Sequence, residues 1–120
     1  MERRRVVVTG LGAINAIGHN VDETWKSIKD GVCGIAEITN YDTELTRVKI
    51  AGEVKDFNPA DYLDKKAVRK MDRFTQFGVI AAKEAFKDAA LNIEDIDADR
   101  FGVVVSSGIG GLATIEKDHT

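Results

Sequence analysis

From Phe74 to Ala82 the chain reads Phe-Thr-Gln-Phe-Gly-Val-Ile-Ala-Ala, without one charged residue, inside a longer stretch from about Arg73 to Ala90 with helical spacing. Small residues (Gly78, Ala81, Ala82, Ala85 and Ala89) share this helix with bulky Phe77, Ile80 and Phe86. A helix that is apolar nearly all round must be covered on both sides, so it packs between two layers rather than on one. The run is far shorter than the ~20 apolar residues of a membrane-spanning helix. The start, Met1-Glu2-Arg3-Arg4-Arg5, drops straight into Val6-Val7-Val8 and offers no apolar run long enough for a signal peptide. A soluble, cytoplasmic protein without a membrane partner is expected.

The remaining segments are short. Arg5 to Thr9 is a β-branched run ending in Gly10-Leu11-Gly12, which predicts a buried strand entering a glycine turn. Asp22 precedes an amphipathic stretch through Asp30, with Trp25 and Ile28 on one side and Gly31 just past the end, so a helix capped by Asp22 is expected there. Residues 32–47 show no period, whereas Val48, Ile50, Gly52 and Val54 alternate with Lys49, Ala51 and Glu53 as in a strand with one wet face. Asn58-Pro59 breaks the chain. A short helix around Asp64 to Lys70 precedes the long one, which Asp72 is placed to cap. An acidic connector from Glu94 to Asp99 leads to a second continuous apolar strand, Phe101 to Ser106, and then to Gly108-Ile109-Gly110-Gly111 and a helix from Leu112 to Asp118. Three strands are too few for the two sheets that the long helix requires. A domain of this size should bury roughly 60 to 70% of its unfolded surface, so the chain is expected to be the N-terminal part of a larger α/β fold.

Composition narrows the chemistry. Among 120 residues there are one cysteine, Cys33, and two histidines, His19 and His119, which leaves no local set for structural zinc, and no metal is expected. The formal charge of −3 argues against nucleic-acid binding. Gly10-Leu11-Gly12 follows a strand as in a dinucleotide fingerprint, but the third glycine position holds Asn15 and no helix starts close by, so a turn with close backbone packing is the better reading. Gly108 to Gly111 lacks the Lys-Ser/Thr of a phosphate loop, having Leu112-Ala113 instead. Its glycines either bring bare backbone close to a ligand or neighbouring chain, with Ile109 pointing outward, or form a tight turn with Ile109 in the core. Cys33, between Val32 and Gly34, has no basic neighbour to activate it and reads as a loop residue, as does His19. Lys65, Lys66, Arg69, Lys70 and Arg73 with one acid, Asp72, make a patch of local charge plus four. Lys66, Arg69 and Lys70 stand at i, i+3 and i+4, on one face of one helix. Such a face is either a solvated surface or a docking patch for an acidic protein or a phosphate group.

With these segments in view, the chain resembles the N-terminal part of the β-ketoacyl-acyl-carrier-protein synthases, the condensing enzymes of type II fatty acid elongation. The likeness rests on RRVVVTGLGAINAIG (4–18), the Thr24-Trp25-Lys26 helix, AGEVKDFNPADYLDKK (51–66), RKMDRFTQFGVIAAKEA (69–85) and SSGIGGLATIE (106–116), and it runs the whole length. The resemblance implies a thiolase-like fold of α-β-α-β-α layers built from two similar halves, of which residues 1–120 would cover part of the N-terminal half. It implies an acyltransferase that elongates acyl chains on acyl carrier protein by decarboxylative condensation with malonyl-carrier protein, without a cofactor, as a homodimer. The family's nucleophilic cysteine and two histidines would lie beyond Thr120, so no catalytic residue is expected in this chain, and Cys33, His19 and His119 do not correspond to them. By the same likeness Lys66, Arg69 and Lys70 match carrier-docking positions, and Ile109 matches a residue at the inner end of the acyl pocket. Polyketide ketosynthases share much of the pattern, and a non-catalytic carrier-binding fragment is the alternative of a different class.

Overall fold

The computed structural model describes residues 3–120, which gather into two compact units. One is Ala13–Asn58; the other combines the N-terminal stretch through Gly12 with Pro59–Thr120.

In the Ala13–Asn58 unit, helix α1 spans Val21–Lys29. Its cap is Asn20, two residues before the expected Asp22. The Asn20 side chain accepts the Glu23 N–H at 2.8 Å while the Glu23 carboxylate accepts the His19 N–H at 2.8 Å, which satisfies two amides at once. Asp22 falls inside the first turn, where its charge still favours the helix dipole. The end is as expected: Gly31 takes φ +68°, its N–H bonds Ile28 and the Val32 N–H bonds Ser27, closing the last carbonyls. The period-2 segment contributes strand β2 (Ile50–Ala51), paired antiparallel with β1 (Ala36–Glu37) in the register Ala36 to Ala51 and Glu37 to Ile50. Strand β1 lies in the stretch where no period was visible. Glu53 follows β2, is buried, and ties down the residues after β1. Its carboxylate accepts both N–H and hydroxyl of Thr39 and the N–H of Asn40, at 2.8 to 3.1 Å.

The second unit is organised by helix α3 (Arg73–Asp88), preceded by the four-residue helix α2 (Lys65–Val68) and followed by two short 3₁₀ turns, Ile93–Asp95 and Ala98–Arg100, and helix α4 (Leu112–His119). The small-residue side of α3 has a definite use. Gly10 and Gly12 lie so close to it that a Cβ on Gly10 would come within 2.8 Å of the Ala89 Cβ, and one on Gly12 within 2.9 Å of the Ala85 amide nitrogen. Ala81, Ala85 and Ala89 recur every four residues, the spacing of one helix face, so glycines meet alanines along two turns. The Leu11 N–H donates to the Asp88 carboxylate at 2.9 Å and fixes the crossing. The reading of Gly10-Leu11-Gly12 as close backbone packing therefore holds.

The expected strands beside α3 do not form. Among the described residues neither Arg5–Thr9 nor Phe101–Ser106 joins a ladder, and Val6 and Val104 are 92% and 95% exposed. A strand is defined by ladder pairing to a partner about 4.8 Å away, and neither run has such pairing among the described residues. Coverage of α3 is correspondingly partial: Gln76 and Ile80 are buried, and Phe86 meets Phe101 edge-on at 6.5 Å. Between them an open apolar groove of about 630 Å³ runs along Phe74, Val79, Ala82 and Phe86 on the helix and Val103 and Val105 opposite. The two-sided burial expected of Phe74 to Ala82 is thus met on one side and open on the other, and the layering of sheets around the helix is not formed.

Candidate functional site

Helix α2 starts cleanly because the Asp64 carboxylate accepts the N–H groups of Lys66 and Ala67 at 3.0 and 2.9 Å. It ends sooner than the basic spacing suggests. Lys66 is helical, Arg69 is the C-cap, and Lys70 continues in a turn through a bond from its N–H to the Ala67 carbonyl at 3.0 Å. All three side chains are exposed, and none makes an ion pair among the described residues. Arg73 has a different setting: its guanidinium stands over the Phe77 ring, 5.3 Å from the centroid, at the start of α3. Lys65 and Arg73 are exposed as well, so the basic group is a set of five exposed residues on a short helix, its exit turn and the start of α3.

The residue that holds this exit turn is Gln76, which the sequence reading passed over. It is buried, and its Nε2 donates to the carbonyls of Val68 at 3.2 Å and Met71 at 3.0 Å. Carbonyls at a helix end need a donor, and a buried amide supplies two hydrogens from one side chain. A polar residue inside an otherwise uncharged apolar run was the available signal, because a buried amide has to be hydrogen-bonded.

Ile109 lies elsewhere in the same unit, in the loop before α4, and is 71% exposed. The alternative of a tight turn with Ile109 in the core is overturned. The loop is anchored just after it: Gly110 sits on the Phe74 ring, where a Cβ would come within 2.6 Å of the ring carbons, and Thr114 donates its hydroxyl to Asp72 at 2.5 Å. Asp72 precedes α3 as expected, but its side chain does not cap that helix. Ile109 does not line the groove beside α3. The exit turn of the basic set and the Ile109 loop are thus held by residues of one helix start, Gln76 and Asp72 respectively.

The other sequence candidates are ordinary loop residues. Cys33 is exposed, with Sγ 3.8 Å from the Ile35 carbonyl oxygen, and His19 sets Nε2 2.7 Å from the Lys55 carbonyl oxygen while meeting Phe57 edge-on at 5.8 Å. Among the described residues no group of three His, Cys, Asp or Glu could hold a metal ion, and no helix is long and apolar enough to cross a membrane.

Residues 3–120 match the family model described as the β-ketoacyl synthase N-terminal domain. The chain belongs to the β-ketoacyl synthase family. Within it, the 3-oxoacyl-[acyl-carrier-protein] synthase 2 of Staphylococcus aureus (strain N315) is 52% identical over 98% of this chain, and that of Synechocystis sp. (strain ATCC 27184 / PCC 6803 / Kazusa) is 43% identical over all of it. Of these two relatives the chain spans 28% and 29% of the length. Among solved β-ketoacyl synthase structures, the ishigamide ketosynthase/chain length factor is 39% identical with a TM-score of 0.70, over 79% of this chain and 24% of the other. A type II polyketide acyl-carrier protein in complex with its ketosynthase bound to the hexaketide is 31% identical with a TM-score of 0.59, over 80% of this chain and 25% of the other.

Proposed function

We propose that these residues are part of the N-terminal half of a condensing enzyme that elongates acyl chains on acyl carrier protein in fatty acid synthesis. The observation that carries the reading is 52% identity to a 3-oxoacyl-[acyl-carrier-protein] synthase 2 across nearly the whole chain. In the complete enzyme an acyl group passes from its carrier thioester to a cysteine thiolate, freeing the carrier thiol. Malonyl-carrier protein then loses CO₂, the resulting enolate carbon attacks the acyl-enzyme thioester, and the cysteine leaves as thiolate. The product is a 3-oxoacyl-carrier protein two carbons longer. Residues 1–120 supply neither nucleophile nor histidines to this sequence; their part is recognition. Lys66, Arg69 and Lys70 dock the acidic carrier, which accords with their exposure and their freedom from ion pairs among the described residues. Ile109 limits the acyl pocket from a glycine-flanked loop.

The thiolase-like layers belong to the same proposal. The exposed runs Val6–Val8 and Val103–Val105 and the apolar groove along α3 are surfaces that further strands would cover, and they support a sheet on either side of α3. We place the enzyme in the cytoplasm as a homodimer. A polyketide ketosynthase is the second reading, favoured by the two solved neighbours, though at the lower identities of 39% and 31%. The test is to incubate the full-length enzyme with acyl- and malonyl-carrier protein and identify products by mass. One round of extension by two carbons supports the fatty acid reading, repeated unreduced extension supports the polyketide reading, and absence of CO₂ release and of product contradicts both.

A further inference from the structure

We propose that Asp72 and Thr114 form a latch that sets the position of Ile109, making both positioning residues for acyl-chain length; the inference rests on the assignment of Ile109 to the acyl pocket. An aspartate at a helix N-cap ordinarily accepts that helix's own free amides. Asp72 occupies the N-cap position of α3 and makes no such bond. Its Oδ1 instead accepts the hydroxyl of Thr114, 42 residues later, at 2.5 Å. Its other oxygen lies against Gly111 so tightly that any Cβ there would overlap it.

Gly111 is the N-cap of α4 and Thr114 is the third residue of that helix, which has no side-chain cap of its own. One carboxylate therefore stands at the starts of both α3 and α4, where two helix dipoles favour negative charge. Beside it the Phe74 ring presses on Gly110, so both glycines after Ile109 are clamped to the start of α3. On the other side Gly108 is open, with nothing within 4 Å of where a Cβ would be. Ile109 is the first residue outside the clamp and is 71% exposed, so its own packing does not fix its direction. The clamp does. A shift of α4 relative to α3 would move Ile109 with it.

The test uses the full-length enzyme with four variants. Thr114→Val removes the hydroxyl at constant shape, Thr114→Ser restores it, Asp72→Asn keeps an acceptor without the charge, and Ile109→Phe is the pocket reference. Product chain lengths and hydrogen exchange of the 107–112 amides are measured for each. Loss of a hydrogen bond to a charged acceptor in Thr114→Val should speed exchange in this loop roughly tenfold. The ratio of long to short products should change severalfold, Asp72→Asn should fall between, and Thr114→Ser should return both readouts to the parent values. A merely structural role would lower the melting temperature and leave the product ratio alone. If Ile109→Phe shortens the products while Thr114→Val changes neither readout, the latch is wrong and the pocket stands. If Ile109→Phe leaves the products unaltered, the pocket assignment falls and the specificity role of the latch falls with it, whatever the exchange shows.

Discussion

The two units are held together in different ways. Ala13–Asn58 is closed by polar contacts of its own residues: the Asn20 and Glu23 caps, the Asn15 carboxamide that donates to the Thr24 hydroxyl at 2.9 Å, and the buried Glu53 carboxylate filled by Thr39 and Asn40. The unit around α3 adds shape to its polar ties, the Leu11–Asp88, Gln76 and Asp72–Thr114 bonds: glycines press on alanines on one side and an open apolar groove lies on the other. Hydrogen bonds between near neighbours satisfy themselves locally, whereas an apolar face is satisfied only by whatever area covers it. Both units still expose large apolar side chains, Leu45 and Val48 in the first and Val103 to Val105 beside the groove in the second.

That contrast can be broken by substitution. The largest effect is expected from Gly12→Val, since a side chain there would run into the backbone of Ala81 and Ala85. Forcing the N-terminal stretch off α3 should cost about 3 kcal/mol or more, read as a fall in melting temperature of the full-length protein. A Cβ on Gly52, in the other unit, would approach the Ala16 Cβ and Ile35 Cδ1 no closer than 3.4 Å, so Gly52→Ala should be far milder. Equal effects at the two sites would show that the close approach at Gly12 does not set the cost.

A smaller loss is expected from Gln76→Leu, which strips the donor from the Val68 and Met71 carbonyls at about 1 to 3 kcal/mol. The exit turn carrying Arg69 and Lys70 should exchange its amides faster as a result. Unchanged exchange there would show that the turn does not depend on this amide.

The subtlest effect concerns pH. The hydroxyl and N–H of Thr39, the N–H of Asn40 and the charge of Lys55 hold the Glu53 carboxyl below its ordinary value against the opposing effect of burial. The fold therefore favours the charged form. Its contribution is complete above the ordinary carboxylate value and is lost as pH falls through the lowered one. Melting curves between about pH 6 and pH 3 should show a steeper loss for the parent than for Glu53→Gln. Parallel curves would mean that the carboxylate contributes nothing specific.

What was legible in the sequence follows the same division. Helix α3, the end of α1 at Gly31 and the use of Gly10-Leu11-Gly12 were readable because each depends on residues a few places apart or on a repeating face. Strand β1 was not, since two residues paired only by backbone to Ile50–Ala51 leave no period. The strands Arg5–Thr9 and Phe101–Ser106 were expected from composition, but a ladder needs a partner that no local pattern reports. At the candidate site the charges of Lys66, Arg69 and Lys70 were plain and Gln76 stood as a polar residue in an apolar run, while its bonds to Val68 and Met71 and the bond between Asp72 and Thr114 were hidden. Each of these joins residues whose relation appears only once the chain has folded.

The claim that this segment recognises an acidic carrier is tested most directly by titrating acyl carrier protein into the full-length enzyme and into its Lys66→Glu, Arg69→Glu, Lys70→Glu triple variant, at low and at physiological salt. The account predicts at least roughly tenfold weaker binding for the variant at low salt, with the gap narrowing as salt screens the exposed charges. Equal affinities at both salt concentrations would contradict it.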